Sequence, residues 1–276
     1  MSGSLTLVAT PIGNLGDITP RATTALQEAD LVCCEDTRRT GLLLHHLGIE
    51  GKKYLVVNEH TEYDACDQIV AEVLGGKNVV LVTDAGTPGI SDPGERVVRA
   101  AITNGITVES APGVSAVTMA LAASGLGTSR FVFEGFLPAK GGERAERIGQ
   151  IADERRTVVL YEAPHRVERT LQDLEVACGP ARHVVLAREL TKVHEEFWRG
   201  PLHDAVKHVG EAGPRGEYVL ILEGAKPPAP ATDEEINEAL RAEIAGGASK
   251  RDAATKVAIM LGAPKRRVYE LALALN

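Results

Sequence analysis

Aromatic residues make up only 4% of this 276-residue chain, with a single tryptophan, so base stacking is not expected to carry nucleic-acid binding. There are four cysteines, Cys33, Cys34, Cys66 and Cys178. None stands at C-x-x-C spacing and two are adjacent in an apolar run, which argues against a zinc site and a disulfide framework. They read as buried free thiols of a reducing cytoplasm. No apolar run approaches the ~18 residues of a membrane span, and no charged-then-apolar leader follows Met1; Ser2-Gly3-Ser4 reads as a flexible lead-in. An excess of positive charge is also missing. The net charge of −8 argues against binding polyanions over the whole surface, though a local basic patch remains open.

Hydrophobic residues at 44% make the chain globular, and its length suits two domains. Residues 78–94 organise the reading. Val79-Val80-Leu81-Val82 is the apolar, β-branched run of a strand buried on both faces of a parallel sheet. Gly86, Pro88, Gly89, Pro93 and Gly94 then forbid regular structure, and a helix is expected from Asp92 or Pro93. This places Asp84, Ser91 and Asp92 in a long loop at the carboxyl end of a strand, where open α/β sheets bind ligands. An ordinary βα connection is the alternative, but those are usually two to six residues long.

Before that stretch, residues 5–9 form a first strand and a Gly-rich turn follows, lacking G-x-G-x-x-G spacing. Thr19 then caps a helix with Pro20 at its first position. Residues 31–34 are a second strand ending in Glu35-Asp36-Thr37-Arg38-Arg39, either a ribose-binding or catalytic cluster or a helix cap with a solvated first turn. His45 and His46 on the next helix lack partners at metal spacing and read as surface or partly packed residues, so no metal is expected. Strands at 54–57 and 107–109 complete five strands alternating with helices, one α/β domain over residues 1–115. Ser115 caps or lines the site.

A second α/β domain is expected over residues 116–225, with strands at 131–135, 157–161, 184–187, 196–199 (an edge) and 218–222 in a mixed sheet. Residues 139–147 read as a mobile loop entering a helix. Residues 226–231, Pro-rich, read as a stiff linker. Residues 232–276 read as helices capped by Thr232 or Asp233 and by Ser249, with a turn at Gly262-Ala263-Pro264. From Ser249 onward six basic residues meet two acids, a local excess of +4 in a chain of −8. Such a helix-turn-helix-like unit reads as a nucleic-acid contact, or else as a solvated dimer-packing tail.

These motifs in this order resemble the small-subunit ribosomal RNA 2′-O-cytidine methyltransferase family of the tetrapyrrole-methylase superfamily. The resemblance rests on 9-ATPIGNL-15, 34-CEDTR-38, 83-TDAGTPGISDPG-94, 111-APGVSA-116, 161-YEAPHR-166 and 187-ARELTK-192. It implies two α/β domains with S-adenosylmethionine (SAM) in the cleft between them, a small C-terminal all-helical unit, and a homodimer. The donor is then expected at Pro11, Asp84, Ala85, Gly86, Thr87, Val114 and Ser115, and at Tyr161, Ala187, Gly216 and Glu217. The implied substrate is a cytidine of 16S ribosomal RNA, free or in the 30S particle, in the cytoplasm and with no membrane involved.

SAM carries its own leaving group, so the protein must mainly hold the ribose hydroxyl near the methyl and keep water out. A base or a cation for the developing alkoxide would help. By position the candidates are Asp36, Glu189 and Lys192, each of which could instead belong to a structural ion pair. Arg38, Arg39 and Arg166, and in the tail Lys265, Arg266 and Arg267, are the candidates for RNA phosphates. A tetrapyrrole C-methyltransferase would share the donor loops but give the basic helices no role. A non-enzymatic SAM-binding nucleic-acid regulator would bind without turnover.

Overall fold

The computed structural model describes residues 3–227 and 230–275. They fall into two compact units, Met1–Ala225 and Lys226–Asn276. Met1 and Ser2 of the expected lead-in, Pro228 and Ala229 of the expected linker, and Asn276 lie outside the described residues.

The first unit opens with a five-stranded parallel sheet of β1 (Ser4–Val8), β2 (Leu31–Cys34), β3 (Tyr54–Val56), β4 (Asn78–Val82) and β5 (Val108–Ala111). Its order is β3-β2-β4-β1-β5. Val79 and Leu81 enter one core, with α3 (Glu62–Leu74) and α4 (Glu95–Thr103). Val80 and Val82 enter the other, with α1 (Pro20–Glu28) and α2 (Thr37–His46). Burial on both faces is why β4 reads as an unbroken apolar run. The chain leaves β1 towards β2 and leaves β4 towards β5, on the opposite side. The crossovers therefore part between β1 and β4, and a crevice opens at their carboxyl ends.

The second sheet joins β6 (Phe131–Phe136), β7 (Thr157–Glu162), β8 (His183–Arg188), β9 (Glu196–Pro201) and β10 (Tyr218–Leu222) in the order β6-β7-β10-β8-β9. Only β6 and β7 run parallel; the other pairs are antiparallel, so the sheet is mixed with β9 at its edge. α5 (Ala116–Ser124) covers one face through Val117, Ala120 and Leu121. α6 (Gly142–Asp153), α7 (Pro164–Cys178) and α8 (Leu202–Ala212) bury the other against Leu160, Leu186 and Leu220.

Three local expectations change. β1 already starts at Ser4, and Gly3 is buried so tightly that a Cβ there would lie 2.2 Å from the Lys77 carbonyl oxygen. α4 begins at Glu95, not at residue 92 or 93, because Gly94 stands at φ 141° and supplies no capping side chain. The distant Glu62 caps instead, its Oε1 accepting from Gly94 N at 2.9 Å and Arg96 N at 3.1 Å. The loop expected over 139–147 is cut short by α6, whose Arg144 is buried.

The second unit is three helices, α9 (Asp233–Ala245), α10 (Lys250–Met260) and α11 (Lys265–Ala274), around Ile236, Leu240, Val257 and Val268. Thr232 and Glu235 close a capping box on α9, and Ser249 accepts from Asp252 N to start α10. No helix among the described residues is long and apolar enough to cross a membrane.

Candidate active site

The crevice is a cavity of about 470 Å³, a size suited to a small organic ligand. The loops after β1 and β4 are tied over it by a short bridge, Thr10 N to Gly86 O at 2.8 Å and Gly86 N to Thr10 O at 3.1 Å. Thr10 Oγ1 adds a bond to Thr83 O at 3.0 Å. One wall comes from the strand ends of the first sheet and carries Glu35, Arg39 and Asp84 to Thr87, with Ile90, Ser91 and Asp92 beyond. The other comes from the second sheet and carries Phe136, Tyr161, Glu162, His165, Leu190 and Glu217.

Three carboxylates share the first wall. Glu35 Oε1 accepts from the Thr83 hydroxyl and from Asp84 N. Asp84 Oδ2 faces Arg39 Nε at 3.4 Å, whereas Asp84 Oδ1 is buried with no hydrogen-bond partner. Burial and then the neighbouring Glu35 raise the Asp84 carboxyl, with Arg39 opposing. Burial pushes Asp92 further, to about 6; Glu35 and Asp84 add to it and a hydrogen bond with Thr83 opposes it. Among the described residues no cluster is disposed to hold a metal ion.

A carboxyl whose folded pKa exceeds its unfolded value stabilises below the unfolded value and loses that contribution as pH rises through the folded one. For Asp92 the window runs from 3.8 to about 6. Asp92→Asn is therefore expected to raise the melting temperature at about pH 7.5 and to change it little near pH 3.5. Calorimetric melts at both pH values check this, and equal shifts would refute a raised Asp92.

Of the expected donor residues, Asp84, Ala85, Gly86, Thr87, Ser115, Tyr161 and Glu217 line the cavity. Pro11 and Val114 are half-buried in the loops behind it, next to the lining residues Ile12 and Ser115. Ala187 is fully buried in the core against α5. Gly216 stands at φ 74° and makes room for Glu189, since a Cβ there would lie 2.4 Å from Glu189 Cδ. Tyr161 is pushed to about 12 by burial and the charge of Asp92, so its phenol stays neutral.

The three expected catalytic residues stand outside the cavity lining, each held by partners of its own. Asp36 caps α2 and is forked onto Arg38, at 3.0 Å to Nε and 2.7 Å to Nη2. Those bonds hold its carboxyl at about 2, too weak a base to take a proton from a hydroxyl. Lys192 Nζ lies 2.7 Å from Glu189 Oε1 and 2.8 Å from Glu217 Oε2. Burial works against its charge, but these carboxylates outweigh burial and raise its pKa. Burial would also raise Glu189, but bonds from Lys192 and Glu217 N leave it lowered.

Of the expected RNA contacts around the crevice, Arg39 lines the wall. Arg38 is 88% exposed although it pairs with Asp36. Arg166 is turned inward: its Nε lies 3.2 Å from the buried Glu162, and its Nη2 donates to Leu137 O. In the helical unit Lys265 is exposed at the start of α11. Arg266 pairs with Glu270 on its own helix, and Arg267 is drawn to Asp233 at 2.7 Å, pinning α11 to α9.

Ile90 and Phe136 stood in no expected site yet line the cavity, and so do Glu35 and Asp92, which were expected only as members of a candidate cluster and of the ligand loop. Asp92 and Glu35 stood in recognised loops, but which carboxylate turns inward depends on pairing that spacing does not reveal.

The family model "Tetrapyrrole (Corrin/Porphyrin) Methylases" matches residues 4–206. The chain is 46% identical over 276 residues to the ribosomal RNA small subunit methyltransferase I of Synechocystis sp., covering 99% of each chain. In fold it is similar to the methyltransferase CobJ, at TM-score 0.62 and 23% identity over 81% of this chain and 95% of that one. It is also similar to the uroporphyrin-III C-methyltransferase of Thermus thermophilus complexed with S-adenyl homocysteine. There the TM-score is 0.58 at 19% identity over 80% of this chain and 97% of that one.

Proposed function

Because the chain belongs to the tetrapyrrole (corrin/porphyrin) methylase family, in the branch of the ribosomal RNA small subunit methyltransferase I proteins, we propose that it 2′-O-methylates the ribose of a cytidine in 16S ribosomal RNA, with SAM as donor. The observation that carries this reading is a likeness running the whole chain, the basic helical unit included. A tetrapyrrole substrate would leave that unit without a role.

The cavity fits a cationic donor. Its wall offers the partnerless Asp84 Oδ1 beside Glu35 and Asp92, an arrangement that favours positive charge and hydrogen-bond donors. Bound there, SAM supplies a methyl already activated by its sulfonium. The chain's own part is to orient the ribose, exclude water and take the hydroxyl proton. Asp92 is the acceptor we assign, because its carboxyl lies near 6 and lines the cavity. Lys192 and Glu189 act instead as positioning residues. The Lys192 stem packs on Gly13, where a Cβ would lie 2.4 Å from Lys192 Cγ, so the loop after β8 is held against the loop after β1. Arg38 and Arg39 face the RNA around the crevice, and Lys265, Arg266 and Arg267 from the helical unit, while Arg166 braces the wall through Glu162 and Leu137 O. The protein works as a cytoplasmic homodimer on free RNA or the 30S particle.

Purified protein with labelled SAM is expected to mark small-subunit RNA, as 2′-O-methylcytidine in nuclease digests analysed by mass spectrometry. Label entering a tetrapyrrole precursor, or SAM binding without transfer to RNA or to the 30S particle, would overturn the proposal. Within it, Asp84→Ala removes a charge-assisted partner worth about 1.5–3 kcal/mol, so SAM affinity should fall about tenfold or more. Calorimetry checks this, and unchanged affinity takes Asp84 out of the donor site.

A further inference from the structure

We propose that Phe136, with Ile90 opposite, forms a slot that takes the base of the target nucleotide; this rests on the RNA-methylation reading above. Of the large apolar side chains left exposed among the described residues, these two line the cavity, Ile90 at 46% and Phe136 at 50% exposure. A single exposed apolar residue is ordinary. Two at the mouth of one cavity, in a chain so poor in aromatics, ask for an occupant.

The backbone is arranged to put Phe136 there. Side chains alternate faces along a strand, so residues three apart, such as Phe133 and Phe136, should point to opposite sides of the sheet. A register shift between Phe133 and Gly135 intervenes, pairing Phe133 with Val159 and Phe136 with Tyr161. The bulge thus brings Phe136 round to the face of Phe133, and bulges that re-aim side chains recur beside active sites. Gly135 takes φ 62°, and a Cβ there would lie 3.2 Å from Ser91 Oγ, so its bareness lets the end of β6 meet the loop after β4. Ser91, next to Ile90, is itself a non-glycine residue at φ 61°. Such strain persists only where its surroundings enforce it.

The ring is also held in place. Its centroid lies 5.6 Å from that of Tyr161, which packs edge-on to Phe133 at 5.0 Å. The two residues after Phe136 are gripped by guanidinium groups, Leu137 O by Arg166 and Pro138 O by Arg144 at 3.0 Å. The exposed ring is therefore pre-organised, which lowers the entropy cost of binding against it.

A planar heteroaromatic suits such a slot, and either the RNA base or the adenine of SAM could supply one. The half-open position at the mouth favours the base. A ribose hydroxyl can reach into a cavity only if its nucleotide leaves the stack, and a splayed-out base needs a new stacking partner. One well-placed ring suffices, so the low aromatic content is no obstacle.

The test is steady-state methylation of a small-subunit RNA fragment by the full-length protein, with thermal melts confirming that each variant folds. Phe136→Ala should raise KM for RNA about tenfold with a smaller change in kcat. Ile90→Ala should move KM the same way by less, and Phe136→Trp should restore it. Calorimetric SAM affinity should stay within about twofold. A fragment with an abasic ribose at the target should cost the wild type the same factor and Phe136→Ala almost nothing more. An unchanged KM for Phe136→Ala overturns the proposal, and a loss that falls on SAM affinity reassigns the ring to the donor's adenine. Absence of wild-type transfer to RNA is a separate result, which removes the function reading itself.

Discussion

Glu162→Ala is expected to cost at least about 3 kcal/mol of stability and to disturb the cavity wall as well. The carboxylate is completely buried, with Oε1 accepting from Ala163 N at 2.9 Å and facing Arg166 Nε at 3.2 Å. Oε2 accepts from Thr170 Oγ1 at 2.6 Å. Removing one partner of a buried ion pair typically costs about 3–5 kcal/mol, because the other charge is stranded. Arg166 is 24% exposed, so water can reach it and the lower end applies. Thr170 also receives Arg144 Nη2 at 3.0 Å, and Arg144 in turn holds Pro138 O. The disturbance should therefore spread to the segment that follows Phe136. Denaturant unfolding measures the loss. Glu162→Gln keeps the shape and one of the two acceptor oxygens, so it should fall between wild type and alanine. An alanine variant within about 1 kcal/mol of wild type would mean that the network is not cooperative.

Much of this fold is legible because local signals and burial agree. Thr19 caps α1 with Pro20 at its first position, Ser249 caps α10, and β2 and β4 sit where their apolar runs stand. The parallel first sheet follows from β strands buried on both faces. What failed locally was decided at a distance. The start of α4 depends on Glu62, a residue 32 positions from the Gly94 N–H it caps, and no local pattern carries that. The order of the second sheet was equally hidden, because β10 enters between β7 and β8 from the far end of the unit.

The site was legible to the level of loops, not of side chains. Asp84, Gly86 and Ser115 line the cavity because strand ends must gather there. The Glu35-Asp36 pair shows the limit: the first turns to Thr83 and Asp84, the second caps α2 and grips Arg38. Both residues suit either role, and only the start of the helix assigns them. Phe136 was out of reach for a different reason, since alternation along β6 points it away from the cavity until the bulge is seen.

Ending the chain after Ala225 is expected to spare donor binding and to remove most of the salt-sensitive RNA affinity. The cut falls at the boundary between the compact units. Every strand is retained, and the new end stays tied by Ala225 N to Glu154 O at 2.6 Å. SAM affinity should therefore change little. The basic residues lost are unequally placed to meet phosphate. Arg251 and Lys265 have no acidic partner within ion-pair range among the described residues. Lys256, Arg266 and Arg267 sit in exposed pairs with Glu243, Glu270 and Asp233. Exposed pairs are worth at most about 1 kcal/mol, so phosphate can compete for these side chains. If about four of the eight basic residues lost meet phosphates, the slope of log affinity against log salt should become shallower by about 3 in the truncated form. The intact protein's advantage would then shrink roughly sixtyfold between 50 and 200 mM salt. Binding curves at four salt concentrations for both forms decide it. Parallel slopes and equal affinities would make the helices a packing element and leave RNA recognition to the crevice rim around Arg38, Arg39 and Phe136.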